Sequence, residues 1–334
     1  MSRRIKIFFA CFTVSIFFFW GINIFSQDLE DFLFSFHYEP SLAQSSLVDF
    51  VDETSDNQET KENDVSVFEI EAKSAISVKI NSEGEREILF EKDPDTVLPI
   101  ASLTKLMTAW VVFQYPEYYE FSDPMLISEE ALEKNENSGV GENEEISLET
   151  LLYSMLIESN NYSAYAIAEN LGPKEEHLTP KERVEAFIYL MNLEAKENLK
   201  LENTNFINCT GLDDGSPYSL KNQSTARDLA QLSWSILNEH PEIFDASIKP
   251  SYPISNIYNE HIYLATNKNQ LIDRVPNIIG GKTGWTYMAG GCIILIQRNE
   301  SNEYFIHVIL GTDSQESRFV EIKKLIQLTT DNRL

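Results

Sequence analysis

The sequence predicts an α+β domain in which strands from both ends of the globular region share one antiparallel sheet, with helices between them. Three observations carry this. Ser74–Ile80 and Arg86–Phe90 read as strands around the turn Asn81-Ser82-Glu83-Gly84. Asn277–Thr286, Met288–Arg298 and Tyr304–Gly311 read as a C-terminal meander, with Asn299–Glu303 as a turn. Apolar helical runs fill the chain between, and strands segregated from helices give α+β architecture.

The elements follow in chain order. Arg3, Arg4 and Lys6 precede an uncharged, mostly apolar run, residues 7–25. As a helix this run would span about 28 Å, near the thickness of a bilayer's hydrocarbon core. The basic flank keeps the N-terminus in the cytoplasm and predicts that the rest is exported. Asn23-Ile24-Phe25 lacks the small residues of a signal-peptide cleavage site, so residues 1–26 are expected to remain as a membrane anchor. A cleaved signal peptide is the alternative. Residues 27–66 are expected to be an acidic flexible linker. Asp28 to Asp64 holds eleven Asp and Glu against one Lys, with too little apolar surface to offset ordering.

From residue 67 to 334 the pattern is globular. Leu103–Tyr115 reads as a buried helix. Ser147 is placed to cap a helix running through Ile157. Thr179-Pro180-Lys181-Glu182 is a capping box with Pro at the first helical position, opening a helix toward Leu199. Ser224 is expected to cap a helix to Leu237, and an amphipathic helix closes the chain from about Ser314 to Leu328.

Composition excludes several functions. The net charge of −27 leaves no general basic footprint for nucleic acid. Hydrophobic residues make up 43% of the chain, enough for a real core. Cys209 and Cys292, the two cysteines beyond the apolar run, have no C-x-x-C spacing and read as buried thiols, although a pair between them is possible. The histidines (His37, His177, His240, His261, His307) are scattered, without metal-ligand spacing. These residues give no reason to expect a metal site.

Three short motifs carry chemistry. Ser102-Leu103-Thr104-Lys105 opens the first helix, and residues three apart share a helix face. A lysine among Leu103, Leu106, Met107 and Trp110 loses basicity and can deprotonate a neighbouring hydroxyl. The helix N-terminus favours negative charge developing near Ser102. Alone, this spacing is better explained by a capping serine and a surface lysine. Ser159-Asn160-Asn161 falls on a tight loop between apolar helices, where a serine and an asparagine can face a cleft. Alone it is a helix stop and cap. Ser55-Asp56-Asn57 has the same S-x-N form but lies in the acidic tract and is discarded. Lys282-Thr283-Gly284 follows Gly280-Gly281 on a strand. Glycine there lets a ligand backbone approach, and a Lys-Thr pair suits a carboxylate. The order S-x-x-K, S-x-N, K-T-G is the signature set of penicillin-binding proteins and serine β-lactamases.

Beyond the three motifs the chain resembles the D-alanyl-D-alanine carboxypeptidase family of serine peptidases, the low-molecular-weight penicillin-binding proteins. The resemblance rests on LPIASLTKLMT at Leu98–Thr108, LLYSMLIESNN at Leu151–Asn161, GLDDGSPYS and STARD within Asn208–Asp228, IGGKTGWTYMAGG at Ile279–Gly291 and VILGTDSQESRF at Val308–Phe319. It covers roughly Ala72 to Leu328.

The resemblance implies a β-lactamase/transpeptidase-like fold, an antiparallel sheet flanked by helices with a helical lobe. It implies Ser102 as the acylated nucleophile, Lys105 as its base and Ser159 in proton transfer. Asn161 would hold the substrate amide, and Lys282 and Thr283 would bind the terminal carboxylate, with Gly284 and Trp285 beside them at the substrate; no metal or organic cofactor is implied. The backbone N–H groups of Ser102 and Trp285 would form the oxyanion hole. The implied partners are peptidoglycan peptides ending in D-Ala-D-Ala, β-lactams as inhibitors, and the membrane through the N-terminal helix. The expected place is the bacterial cell envelope, with the catalytic domain outside. Asn160 departs from the small residue usual at the centre of S-x-N, a position whose residue varies, so the departure puts little in doubt. Cys209 stands where the family often shows Pro. A DD-endopeptidase of the same family and a serine β-lactamase are the alternatives. Glu169, Glu175 and Glu176 follow the S-x-N, but none sits in a recognisable deacylation loop. A non-catalytic penicillin-binding protein fits less well, because every motif residue is present.

Overall fold

A computed structural model describes residues 69–135, 139–172, 178–213, 216 and 219–330. The apolar run 7–25 and the acidic tract 27–66 lie outside the described residues, as do Glu175, Glu176, His37, His177 and the discarded Ser55-Asp56-Asn57. Among the described residues no helix is long and apolar enough to cross a membrane.

Five strands form the main sheet: β1 (Ser74–Ile80), β2 (Arg86–Lys92), β3 (Ile278–Thr286), β4 (Gly290–Arg298) and β5 (Tyr304–Thr312). Their order is β2-β1-β5-β4-β3, so the two ends of the domain meet at the antiparallel β1–β5 pair. The first hairpin forms as expected. Gly84 takes φ +84°, and Asn81 Oδ1 accepts from the amides of Glu83 and Glu85 at 3.0 and 2.9 Å. The Asn299 turn closes the same way, accepting from the Glu303 amide at 2.9 Å.

The sheet is covered on both faces, which explains the unbroken apolar run Cys292–Ile296 in β4. Ile293 and Leu295 join Ala75, Ile309 and the Phe319, Ile322 and Leu325 of the last helix in one core cluster. The alternate residues Ile294, Ile296, Ile76, Val78 and Val308 are buried on the opposite face.

Seven helices matter here: α1 (Thr104–Gln114), α2 (Leu148–Tyr153), α3 (Asn161–Leu171), α4 (Pro180–Leu193), α5 (Ala226–Glu239), α6 (Glu242–Ser247) and α7 (Ser317–Thr330). Ser147 caps α2 at the Thr150 amide, and the Thr179–Glu182 capping box opens α4 with both reciprocal bonds made. The cap of α5 is Thr225, one residue beyond the expected Ser224. Thr225 has extended φ and ψ and accepts from the Asp228 amide at 3.0 Å. The Ser224 hydroxyl is occupied by Thr204 at 2.7 Å, while its backbone pairs with Leu98. A further hairpin, Ser251–Ser255 with His261–Thr266, was not expected from the sequence.

Candidate active site

Ser102 lies in a single 3₁₀ turn, Ala101–Leu103, that leads into α1. The turn is held from several directions. The Ile100 amide donates to the Asn222 carbonyl at 3.2 Å. The Thr104 hydroxyl donates to the Ala101 carbonyl at 2.7 Å, and the Asn222 amide donates to that same hydroxyl at 2.9 Å. Ala101 takes φ +47°, an uncommon conformation for a residue with a Cβ. Such strain persists where the surroundings over-determine it. Two glycines press on this turn. A Cβ at Gly211 would overlap the Ala101 carbonyl, and one at Gly284 would come to 3.0 Å of the Ser102 nitrogen.

One helical turn on, Lys105 is fully buried. Its Nζ donates to Ser102 Oγ at 3.0 Å, Asn161 Oδ1 at 2.8 Å and the Thr210 carbonyl at 2.5 Å. Burial lowers its pKa to about 7, against a smaller opposing effect of Cys209. A lysine so placed holds a large neutral fraction near neutral pH and lies within hydrogen-bond reach of a hydroxyl, the geometry of a general base and its nucleophile.

The S-x-N loop arises from a change of helical pitch. After α2 the chain widens into a π-turn, Ser154–Glu158, and Ser159 then turns left-handed at φ +66°. Asn161 is the first residue of α3, so its side chain reaches Lys105 from the helix start. Asn160 is buried and donates to the Tyr263 hydroxyl at 3.2 Å. The larger residue at the centre of S-x-N thus gains a specific partner here.

On β3, Lys282 is buried and donates to Ser159 Oγ at 2.8 Å and to the Thr283 carbonyl at 2.9 Å. Burial lowers its pKa well below the ordinary lysine value, and the positive charges of Lys105 and Arg318 add to this. The glycines before it do not serve ligand approach as expected. A Cβ at Gly280 would strike the Phe244 ring of α6, and one at Gly281 would strike the Ile294 carbonyl. Of these β3 glycines, Gly284 alone closes on the Ser102 turn. Thr283 is 5% exposed, whereas Trp285 presents 46% of its surface.

The structure thus links Ser102, Lys105 and Asn161 through one amine, and Ser159 and Lys282 through another. Three supporting groups lie outside the three motifs. Arg318, on α7, is buried and donates to the Gly284 carbonyl at 2.7 Å. Asn222 braces the nucleophile turn, and Thr210-Gly211 backs Lys105 and Ala101. All three lie in or beside the quoted family text. Glu169 bonds to the Ser128 hydroxyl at 2.7 Å, with its pKa raised chiefly by burial. His307 is a core residue bonded to Ser77 at 2.9 Å. Both Cys209 and Cys292 are buried free thiols. Among the described residues, no group of His, Cys, Asp or Glu is arranged to hold a metal ion.

Residues 57–314 match the family described as D-alanyl-D-alanine carboxypeptidase, peptidase family S11. The chain belongs to this family. It is accordingly a serine hydrolase. A D-alanyl-D-alanine endopeptidase of Pseudomonas aeruginosa is 32% identical over 254 residues, which is 75% of each chain. The D-alanyl-D-alanine carboxypeptidase DacA of Haemophilus influenzae is 29% identical over 247 residues, 72% of this chain and 58% of that relative. Among solved structures, penicillin-binding protein D2 of Listeria monocytogenes in its ampicillin-bound form shares 27% identity. It has a TM-score of 0.64 and covers 77% of this chain and 96% of that one. The likeness supports the expected fold of helices with an antiparallel sheet.

Proposed function

We propose that this S11 peptidase cleaves the bond after the penultimate D-Ala of peptidoglycan stem peptides through an acyl-enzyme on Ser102, and that penicillin acylates the same hydroxyl. The observation that carries the proposal is the buried Lys105 amine, 3.0 Å from Ser102 Oγ. Neutral Lys105 takes the hydroxyl proton as Oγ attacks the carbonyl carbon. The Ser102 and Trp285 N–H groups receive the oxyanion. Ser159, bonded to Lys282, relays a proton to the leaving amine as the C–N bond breaks. Asn161 holds the substrate amide, and Lys282 and Thr283 hold the terminal carboxylate. Water then hydrolyses the ester, with Lys105 again as base.

The primary reading is a carboxypeptidase, releasing free D-Ala. A second reading, DD-endopeptidase, is favoured by one fact. The relative named an endopeptidase aligns over 75% of its own length, against 58% for DacA. In both readings residues 1–26 anchor the chain in the cytoplasmic membrane, 27–66 form the tether, and the domain from residue 67 works in the cell envelope. The test is product analysis on two substrates, a D-Ala-D-Ala pentapeptide and a cross-linked muropeptide dimer. Free D-Ala from the first supports the carboxypeptidase. Monomers from the second without D-Ala from the first support the endopeptidase. Turnover of neither refutes the proposal.

A further inference from the structure

We propose that Tyr263, on the hairpin beside the S-x-N loop, is a positioning residue for Ser159 and Asn161; this rests on the DD-peptidase reading above. Its half-buried side chain ends among three polar partners. The Tyr263 hydroxyl lies 3.3 Å from Ser154 Oγ, 3.2 Å from Asn160 Nδ2 and 3.2 Å from the Tyr162 hydroxyl. The places of these partners in the chain give the contact its meaning. Ser154 opens the π-turn and its carbonyl accepts the Ser159 amide. Asn160 follows the left-handed Ser159, and Tyr162 stands in the first turn of α3 just after Asn161. One hydroxyl therefore pins the start of the loop to its end, across the two residues that meet Lys282 and Lys105.

Other bonds share the load: the Asn161 amide donates to Asn135 Oδ1 at 3.2 Å, and the Lys268 amide donates to the Ile157 carbonyl at 3.1 Å. Ser159 carries a Cβ in a left-handed conformation, which costs free energy that neighbouring contacts must offset. The amide of Asn160 reaches back to the Ser154 carbonyl at 3.4 Å, a long bond. Asn160 Oδ1 is buried with no partner among the described residues, so Nδ2 and Tyr263 fix the orientation of this side chain. Ser163 donates to Ser154 Oγ at 3.0 Å and extends the network into α3. The Asn160–Tyr263 pair gives the asparagine at the centre of S-x-N a physical reason.

The test compares Tyr263→Phe with Tyr252→Phe in the full chain. Tyr252 sits on the opposite strand of the same hairpin, stacked on Tyr153 at 4.0 Å, and makes none of these bonds to the loop. Penicillin acylation rate, kcat and KM for peptide hydrolysis, and Tm are measured for each. Displacing a reacting group by on the order of 1 Å costs up to about 100-fold, so Tyr263→Phe is expected to lower kcat and the acylation rate by about tenfold with little change in KM. Tyr252→Phe is expected to leave the rates unchanged. Asn160→Ala is expected to reproduce the rate loss, and the double variant with Tyr263→Phe to fall no further than the worse single variant. Wild-type rates in Tyr263→Phe, or additive losses in the double variant, would overturn the inference. If Tyr263→Phe fails to fold, wild-type rates in Asn160→Ala overturn it equally. A wild-type chain that forms no adduct and cleaves no peptide would overturn the DD-peptidase reading, and this inference with it.

Discussion

Acylation of Ser102 should follow the titration of Lys105. The perturbation is pH, with Lys105→Ala as its control. Burial places the lysine near pH 7, so about half of the amine is neutral there, about a tenth at pH 6 and about nine-tenths at pH 8. An ordinary lysine would be only about 0.03% neutral at pH 7. Burial therefore raises the supply of base on the order of a thousandfold. The second-order rate of labelling by a fluorescent penicillin, followed from pH 5.5 to 9, should rise about tenfold from pH 5.5 to 6.5, bend near 7 and level off by 8. Lys105→Ala should lose about 10²–10⁴ in rate and lose the limb with it. A flat profile, or a rise that continues from pH 8 to 9 without levelling, would refute the assignment of the base.

Other expectations follow from the same contacts. Lys105 binds its proton more weakly folded than unfolded, so its contribution to stability rises with pH from about 7 to 10.5. The cost of burying its charge is full and constant below about 7 and gone above about 10.5, and urea unfolding should show a slope between them of up to about 1.4 kcal/mol per pH unit that Lys105→Met removes. Gly211→Ala should cost about 1–3 kcal/mol from its left-handed backbone, more from overlap with the Ala101 carbonyl, and should slow acylation. Thr179→Ala removes the cap of α4 and should cost about 1 kcal/mol by thermal unfolding while leaving the rates unchanged. Burial pushes the Cys209 thiol up to about 12 and Cys292 to about 11, so neither should react with a thiol reagent until the chain unfolds.

Much of this architecture was legible because it rests on local rules. Asn81 and Asn299 carry turn chemistry, Thr179 and Glu182 carry a capping box, and the apolar run of β4 required burial on both faces. Element boundaries moved where tertiary partners decided them. Thr204 takes the Ser224 hydroxyl, and the cap passes to Thr225. The motif residues were picked out by their order along the chain, and the fold joins Ser102, Lys105 and Asn161 at one amine and Ser159 to Lys282 at another. What spacing could not carry was their support from distant segments. Arg318 reaches Gly284 across 34 positions and Tyr263 reaches Asn160 across 103. Gly280 is a glycine because of Phe244, a contact with no periodic signal in the chain.

The most direct test of the central claim is intact-mass analysis of the domain from residue 67 onward after brief exposure to penicillin, with peptide mapping of the adduct and Ser102→Ala alongside. The account predicts one penicilloyl group on Ser102 in the wild-type domain and none in the variant. Retention of the adduct in Ser102→Ala, or its mapping to another residue, would contradict it.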